Sequence, residues 1–229
     1  MLLNYINDIN ENQRIIVIGD IHGDIKRFKT ILKDCMIIND NFEWIAEPSN
    51  TIIIQLGDQI DSSNRLTDEK WEILKDYEMI YFTEHLNNIA RVKGGFCISL
   101  IGNHELMNII GDFSYVSDNS LSNERRELFK PKTGSLALIL ARRPLVIKIK
   151  DLMFSHAKIE KSHLEILKKN NKDLFYINDI WYNYLTYGKI KIEDKEILDT
   201  IIIGNQGILW NRNDNNKDET AELYKQLNK

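Results

Sequence analysis

Three times by residue 105 the chain repeats one local plan: a β-branched run, a glycine followed at once by Asp or Asn, then a helical pattern. Arg14-Ile15-Ile16-Val17-Ile18 runs into Gly19-Asp20-Ile21-His22-Gly23-Asp24, and Thr51-Ile52-Ile53-Ile54-Gln55 into Gly57-Asp58-Gln59-Ile60-Asp61. Phe96-Cys97-Ile98-Ser99-Leu100 runs into Gly102-Asn103-His104-Glu105. Strands that are apolar without alternation must be covered on both faces, and strand–loop–helix units assemble into an α/β sheet. The three polar loops would then meet at one sheet edge, where such folds build sites.

The rest of the chain extends this plan. A helical segment follows Asp24 to about Cys35, and a longer one runs from about Thr67 to Lys93, with Ile73, Tyr77, Ile80 and Tyr81 on one face, until Gly94-Gly95 ends it. Leu145 to Ile149 and Leu152 to His156, separated by Lys150-Asp151, read as a hairpin, whose antiparallel pair makes the sheet mixed. Residues 161–200 are mostly helical in pattern. Neither a repeat nor a Pro- or Ser-rich linker interrupts the chain, so residues 1–229 read as one domain, with 213–229 a polar tail or partial helix carrying an amphipathic stretch from Thr220 to Leu227.

Composition removes several classes. With 43% hydrophobic and 28% charged residues the chain has the balance of a globular protein, not a disordered one. A net charge of -4 gives no global attraction to nucleic acid. No stretch approaches the ~20 apolar residues of a membrane span, and the start lacks a basic n-region. Two cysteines, Cys35 and Cys97, make no disulfide framework and fit a reducing, cytoplasmic setting.

The candidates for chemistry sit at the strand ends. In an extended Asp20-Ile21-His22 segment the carboxylate and imidazole point the same way and converge on one ion. Asp58 and Asp61 follow the second run, where they also read as a turn with a helix cap. Asn103 offers a hard oxygen ligand, His104 a ligand or proton carrier, and His156 closes the hairpin. Three of the five histidines thus lie where a strand gives way to a loop. The other two have bland readings, His85 within a helix and His163 opening one. A donor set of Asp, His, Asp, Asn and His without thiolate suits Mn, Fe, Zn or Co better than Ca or a Cys-bound zinc. One carboxylate shared by two ions, ~3.5–4 Å apart, would make a two-metal phosphoesterase centre, with Asp58 the natural bridge by its central position.

The ordered motifs Gly19-Asp20-Ile21-His22-Gly23, Gly57-Asp58-x-x-Asp61, Gly102-Asn103-His104-Glu105 and the later His156 resemble the calcineurin-like metallophosphoesterases, in their phosphoprotein phosphatase branch. Asn103 to Asn108 with Gly111-Asp112-Phe113-x-Tyr115-Val116, Phe154-Ser155-His156-Ala157 and Gly207 to Arg212 resemble the Shewanella-like phosphatases more narrowly, over about residues 14 to 212. The resemblance implies an αββα sandwich of mixed sheets and a metal-dependent phosphatase. Two divalent ions (Mn, Fe or Zn) would bind a hydroxide that attacks phosphomonoesters, on phosphoproteins (Ser/Thr or Tyr) or small phosphoesters. It implies Asp20 and His22 on the first metal, Asp58 as bridge, Asn103 and His156 on the second, and His104 as general acid oriented by Asp61. Arg212 would grip phosphate.

Three departures accompany the likeness. The family's arginine after Gly-Asp-x-x-Asp is Ser62 here, and the nearest arginine, Arg65, is the candidate to reach the same phosphate. Ser114 stands where the subgroup carries Arg. No histidine follows His163, where the family supplies a last Gly-His ligand and further strands, so the chain reads as C-terminally truncated. Two other functions stay open: a phosphodiesterase or dinucleotide polyphosphate hydrolase on the same centre, and a catalytically impaired metal- or phosphate-binding module or gene fragment.

Overall fold

A computed structural model of the chain describes residues 5–6, 13–62, 72–117 and 121–212. Its strands are β1 (Tyr5–Ile6), β2 (Ile15–Ile18), β3 (Ile52–Gln55), β4 (Phe96–Ser99), β5 (Val146–Ile149) and β6 (Leu152–Ser155). They form two three-stranded sheets. In the first, β2, β3 and β4 are all parallel, with Ile15 opposite Ile52 and Ile53 opposite Cys97. In the second, β1 runs parallel to β5, and β5 turns at Lys150-Asp151 into antiparallel β6. The hairpin read from sequence is therefore present, but the mixed pairing belongs to the second sheet alone.

The helices are α1 (Ile25–Asp34), α2 (Glu72–Val92), α3 (Asn103–Ile110), α4 (Ser122–Phe129), α5 (Ser135–Leu140), α6 (Lys161–Lys169) and α7 (Tyr176–Tyr187). Ile192 to Ile202 then winds through 3-10, α and π turns, so the expected helical region is broken up after α7. Asp24 starts α1 by accepting the Arg27 N–H at 2.9 Å, a side-chain cap. Gly111 ends α3 in the left-handed conformation.

Alternation along β3 explains why its apolar run is unbroken. Ile53 packs on Phe28 and Leu32 of α1 and on Met79, Leu86 and Ala90 of α2. Ile52 and Ile54 point the other way, against Ile98, Leu100, Ile147 and Ile149, between the two sheets. On the far side, Val146 joins Leu136 and Leu140 of α5 and Ile177 and Trp181 of α7. The layers are thus helix, sheet, sheet, helix. All three isoleucines are fully buried, each side chain contributing roughly 1.5–3 kcal/mol.

One helix face differs from its sequence reading. Ile73 and Ile80 of α2 are buried, but Tyr77 and Tyr81 are 39% and 40% exposed and stack on each other with ring centroids 4.3 Å apart. The buried seam instead passes through Ile73, Asp76, Met79, Ile80 and Thr83. Asp76 holds a seam position because its partners lie in the site described below. The amphipathic stretch expected from Thr220 to Leu227 lies outside the described residues. Among those described, no helix is long and apolar enough to cross a membrane, and Cys35 and Cys97 are free thiols.

Candidate active site

The loops after β2, β3 and β4 are tied into one body by main-chain bonds. The N–H groups of Ile21 and His22 both donate to the Asp58 carbonyl at 3.0 Å, and that of Gly23 to the Gln59 carbonyl at 2.7 Å. A Cβ at Gly57, where φ is +99°, would lie 2.5 Å from the Gly102 nitrogen, and one at Gly102 2.4 Å from the Asp58 nitrogen. The two loops touch backbone to backbone, which only glycine allows at both positions. Glu105 completes the joint. Fully buried, its carboxylate accepts N–H bonds from Gly102 (2.7 Å), Asp58 (2.9 Å) and Gln59 (2.8 Å). Burial, and then the Asp58 charge, push its carboxyl above the ordinary range against these three bonds.

This framework holds three non-glycine residues in left-handed backbone: His22 (φ 49°), Asp58 (φ 54°) and Asp61 (φ 63°). Such conformations cost of order 1–3 kcal/mol each and persist where surrounding contacts over-determine them.

The donors converge around Asp58. His22 Nδ1 lies 3.3 Å from the Ile60 carbonyl and 3.2 Å from that of Asp61. Carbonyls only accept, so Nδ1 carries the proton and the Nε2 lone pair faces the site, 3.8 Å from Asp20 Oδ2 and 4.0 Å from Asp58 Oδ2. His156 follows the same scheme from the second sheet. Its Nδ1–H donates to the Leu56 carbonyl at 2.8 Å, while Nε2 lies 3.4 Å from Asp58 Oδ2 and 2.9 Å from Asn103 Oδ1. A carbonyl on the far nitrogen of each histidine is the outer support that metal-ligating imidazoles use. Donor atoms of Asp20, Asp58 and His156 lie within 4.8 Å of one another, as do those of His22, Asp58 and His104. The donor set fits two metal ions with Asp58 common to both.

The two carboxylates agree with that fit. The His22 ring beside it holds the Asp20 carboxyl below its ordinary range, in spite of burial and Asp58. Burial works against the Asp58 carboxylate, but His156 and His104 outweigh it and keep its pKa low. Burial likewise opposes the charged form of His156, and the Asp58 carboxylate overrides it and raises the pKa.

His104 is placed differently. It is buried, and its backbone N–H donates to Asp58 Oδ1 at 2.9 Å. Its Nδ1 lies 3.1 Å from Asp61 Oδ2, and its Nε2 3.9 Å from Asp58 Oδ2. The ring packs edge-on to His22, centroids 4.6 Å apart, with Tyr115 5.1 Å away. Burial disfavours its charge, yet the Asp61 bond and the Asp58, Asp61 and Glu105 charges raise its pKa.

The structure therefore brings together Asp20, His22, Asp58, Asp61, Asn103, His104 and His156. Arg212 joins them, exposed, with Nη2 2.9 Å from His156 Nε2. Arg65 lies outside the described residues. Ser62 is buried with its Oγ 3.5 Å from that of Ser117, and Ser114 is exposed. His85 is exposed on α2, and His163 is buried on α6 with both ring nitrogens bonded to backbone.

Sequence reasoning gave no role to four contributors: Glu105 and Asn108, quoted only as motif members, and Asp76 and Arg125. Glu105 stands three residues after Gly102, the spacing of a capping box, and Asn108 one helical turn after His104, so both had a signal. Arg125, in Ser-Asn-Glu-Arg-Arg-Glu, reads as part of a solvated face.

Comparison with known proteins matches the calcineurin-like phosphoesterase family model over residues 13–228. A Shewanella-like protein phosphatase 1 of Plasmodium berghei (strain Anka) is 30% identical over 203 residues, covering 80% of this chain and 52% of that protein. A Shewanella-like protein phosphatase 2 of Arabidopsis thaliana is 32% identical over 109 residues, 48% of this chain and 25% of that one. The chain thus spans about half the length of the first relative and a quarter of the second. In fold it is similar to the crystal structure of a cold-active protein-tyrosine phosphatase of a psychrophilic Shewanella species, with a TM-score of 0.78 at 20% identity, covering 100% of this chain and 66% of that one. With the motif order and the layered fold already in place, a family match reaching from residue 13 to 228 makes this chain a member of the calcineurin-like phosphoesterases, with Shewanella-like protein phosphatases among its relatives.

Proposed function

We propose that the chain is a metal-dependent phosphatase that hydrolyses phosphomonoesters of proteins. The observation that carries this is the position of Asp58, whose Oδ2 faces His22, His104 and His156 at 4.0, 3.9 and 3.4 Å. Asp20, His22 and Asp58 would hold one divalent ion, and Asp58, Asn103 and His156 the other, with Mn, Fe and Zn all compatible with the donors. When bound, the ions supply Lewis acidity and an activated water.

The protein's own groups do the rest. His104 holds a proton for the leaving oxygen, since its Nδ1 is engaged by Asp61 and its Nε2 faces the donors. Arg212 is exposed at the rim and presents a guanidinium suited to two phosphate oxygens. Arg65 is a second phosphate contact on its sequence position alone. The relatives named as protein phosphatases and as a protein-tyrosine phosphatase support a phosphoprotein substrate, Ser/Thr or Tyr. Free thiols at Cys35 and Cys97 suit a reducing, cytoplasmic setting, and residues 1–229 would act as one domain on their sequence pattern.

Elemental analysis together with a panel of phosphomonoesters, phosphodiesters and phosphopeptides tests the reading. Purified protein should carry transition metal and prefer monoesters, and Asp58→Asn should lower occupancy of both positions. Folded protein without metal above background, or Asp58→Asn with unchanged stoichiometry, would refute it.

A further inference from the structure

We propose that Arg125 is a positioning residue of this site, fixing the Asp61 carboxylate in the orientation that holds His104. The inference rests on the reading of His104 as proton donor.

Arg125 comes from α4, a helix whose only buried residues are Arg125 and Phe129. Its side chain is 2% exposed, so it cannot reach a phosphate at the rim and acts only through its neighbours. A buried guanidinium is costly unless it is paired and its donors are used. Here Nη1 donates to Asp61 Oδ1 at 3.0 Å and to Asn108 Oδ1 at 2.7 Å, and Nη2 to Asp76 Oδ2 at 2.5 Å. The network closes on itself. Asp76 Oδ1 accepts the Asp61 N–H at 3.1 Å, and Asn108 Nδ2 donates to Asp61 Oδ2 at 2.8 Å and to the His104 carbonyl at 2.9 Å.

Each Asp61 oxygen is thereby assigned. Oδ1 faces Arg125; Oδ2 takes the Asn108 amide and is left aimed at His104 Nδ1, 3.1 Å away. A carboxylate at Nδ1 holds a proton there and fixes the ring, which leaves Nε2, the nitrogen turned to the donors, as the end that gives its proton. Were the ion pair only mortar for α2, α3 and α4, one carboxylate would suffice, and apolar packing would serve as well or better. The convergence of Asp61, Asp76 and Asn108 on one guanidinium, with two of them also bonded to Asp61, points to orientation of that carboxylate. Among the described residues, no arginine close to Ser62 in sequence enters this network. The one that reaches Asp61 lies 64 residues further along the chain and serves a different purpose.

The test uses the full chain loaded with metal and two substrates, an alkyl phosphate that needs its leaving oxygen protonated and p-nitrophenyl phosphate, which does not. Arg125→Lys should lower kcat on the alkyl ester by about 10–100-fold, as loss of outer-shell partners does, with KM and metal content unchanged and a several-fold smaller loss on the aryl ester. Equal losses on both esters, following the loss of thermal stability, would overturn the proposal. Should Arg125→Lys not fold, Asp76→Asn keeps the Asp61–Arg125 bond but slackens its other anchor, and must show the same split in milder form; no split there overturns it too. His104→Asn serves as reference. If it shows no split, the proton-donor reading falls and this one with it. A split in His104→Asn without one in Arg125→Lys or Asp76→Asn sinks the positioning role alone.

Discussion

His104 has two carboxylates for neighbours, one on each side of its ring. Asp61 takes Nδ1 and Asp58 lies beyond Nε2, so the same ring could serve as proton carrier or, with His22 and Asp58, as a ligand. His104→Asn separates these roles: metal content should stay intact while turnover of alkyl phosphates drops by ~10²–10⁴-fold, the usual span for a general acid. Loss of metal would make His104 a ligand instead. Glu105 gives a second expectation. Glu105→Gln turns one of two accepting oxygens into a donor that faces backbone N–H groups, and should destabilise the fold by about 1–3 kcal/mol in urea unfolding. No change in midpoint would show that the three N–H bonds do not hold the loops. The residues legible in advance share one property: Asp20, Asp58, Asn103 and His156 each end an apolar run, so local pattern announces them. Arg125 meets Asp61 across 64 residues from a polar helix, and nothing near it in sequence distinguishes it from a surface arginine.

At the scale of elements, His163 ties the start of α6 to the loop beyond the π turn. Nδ1 accepts the Glu160 N–H at 3.2 Å, and Nε2–H donates to the Gln206 carbonyl at 2.9 Å, an arrangement that needs the neutral ring. Burial lowers its pKa below 6.5, against the Gln206 bond and the Glu160 charge. Below that value the unfolded chain binds a proton that the folded one refuses, so this contribution to stability is full above about pH 6.5 and falls as pH drops toward the folded pKa. His163→Gln should therefore be less stable at about pH 7.5 yet lose less on moving to about pH 5.5, read from urea midpoints of both proteins. Parallel pH profiles would dismiss the idea. Strands were legible where an apolar run is unbroken, as in β2, β3 and β4. Yet β2 lies at the sheet edge and leaves Val17 48% exposed, so it is not covered on both faces as its run suggests. Elements were misread where two surfaces compete for one helix: α2 serves two core clusters and a polar network, and its seam takes Asp76 in preference to Tyr77. Two-residue β1 is too short to show any period at all.

Across the whole molecule, the proposed ligands belong to two sheets. Asp20, Asp58 and Asn103 follow strands of the first, and His156 follows β6 of the second, so a bound ion would clamp one sheet to the other. Binding to the folded state alone stabilises it by about 2.7 kcal/mol at a hundredfold excess over Kd. A chelator should then lower Tm of the metal-loaded protein in scanning calorimetry, and Asp58→Asn should remove most of that response. A Tm indifferent to chelation would mean that the sheets are not joined through the centre. The division into two sheets was legible only through resemblance to a family. Local pattern identifies β5 and β6 as a hairpin, yet which sheet receives it is decided by β1 and by contacts between Ile147, Ile149 and the first sheet, far away in sequence.

The bond from His156 to the Leu56 carbonyl closes a span of 100 residues, and that span has a duration. At about 5–20 residues per second of synthesis, Asp20, His22 and Asp58 precede His156 by on the order of 5–20 s. Throughout that interval the nascent chain holds every donor proposed for one ion and lacks one proposed for the other. Were the ions to bind during synthesis, the position of Asp20, His22 and Asp58 would be the one able to fill before residue 156 is made, and ribosome-stalled chains halted short of that residue should retain one ion at most.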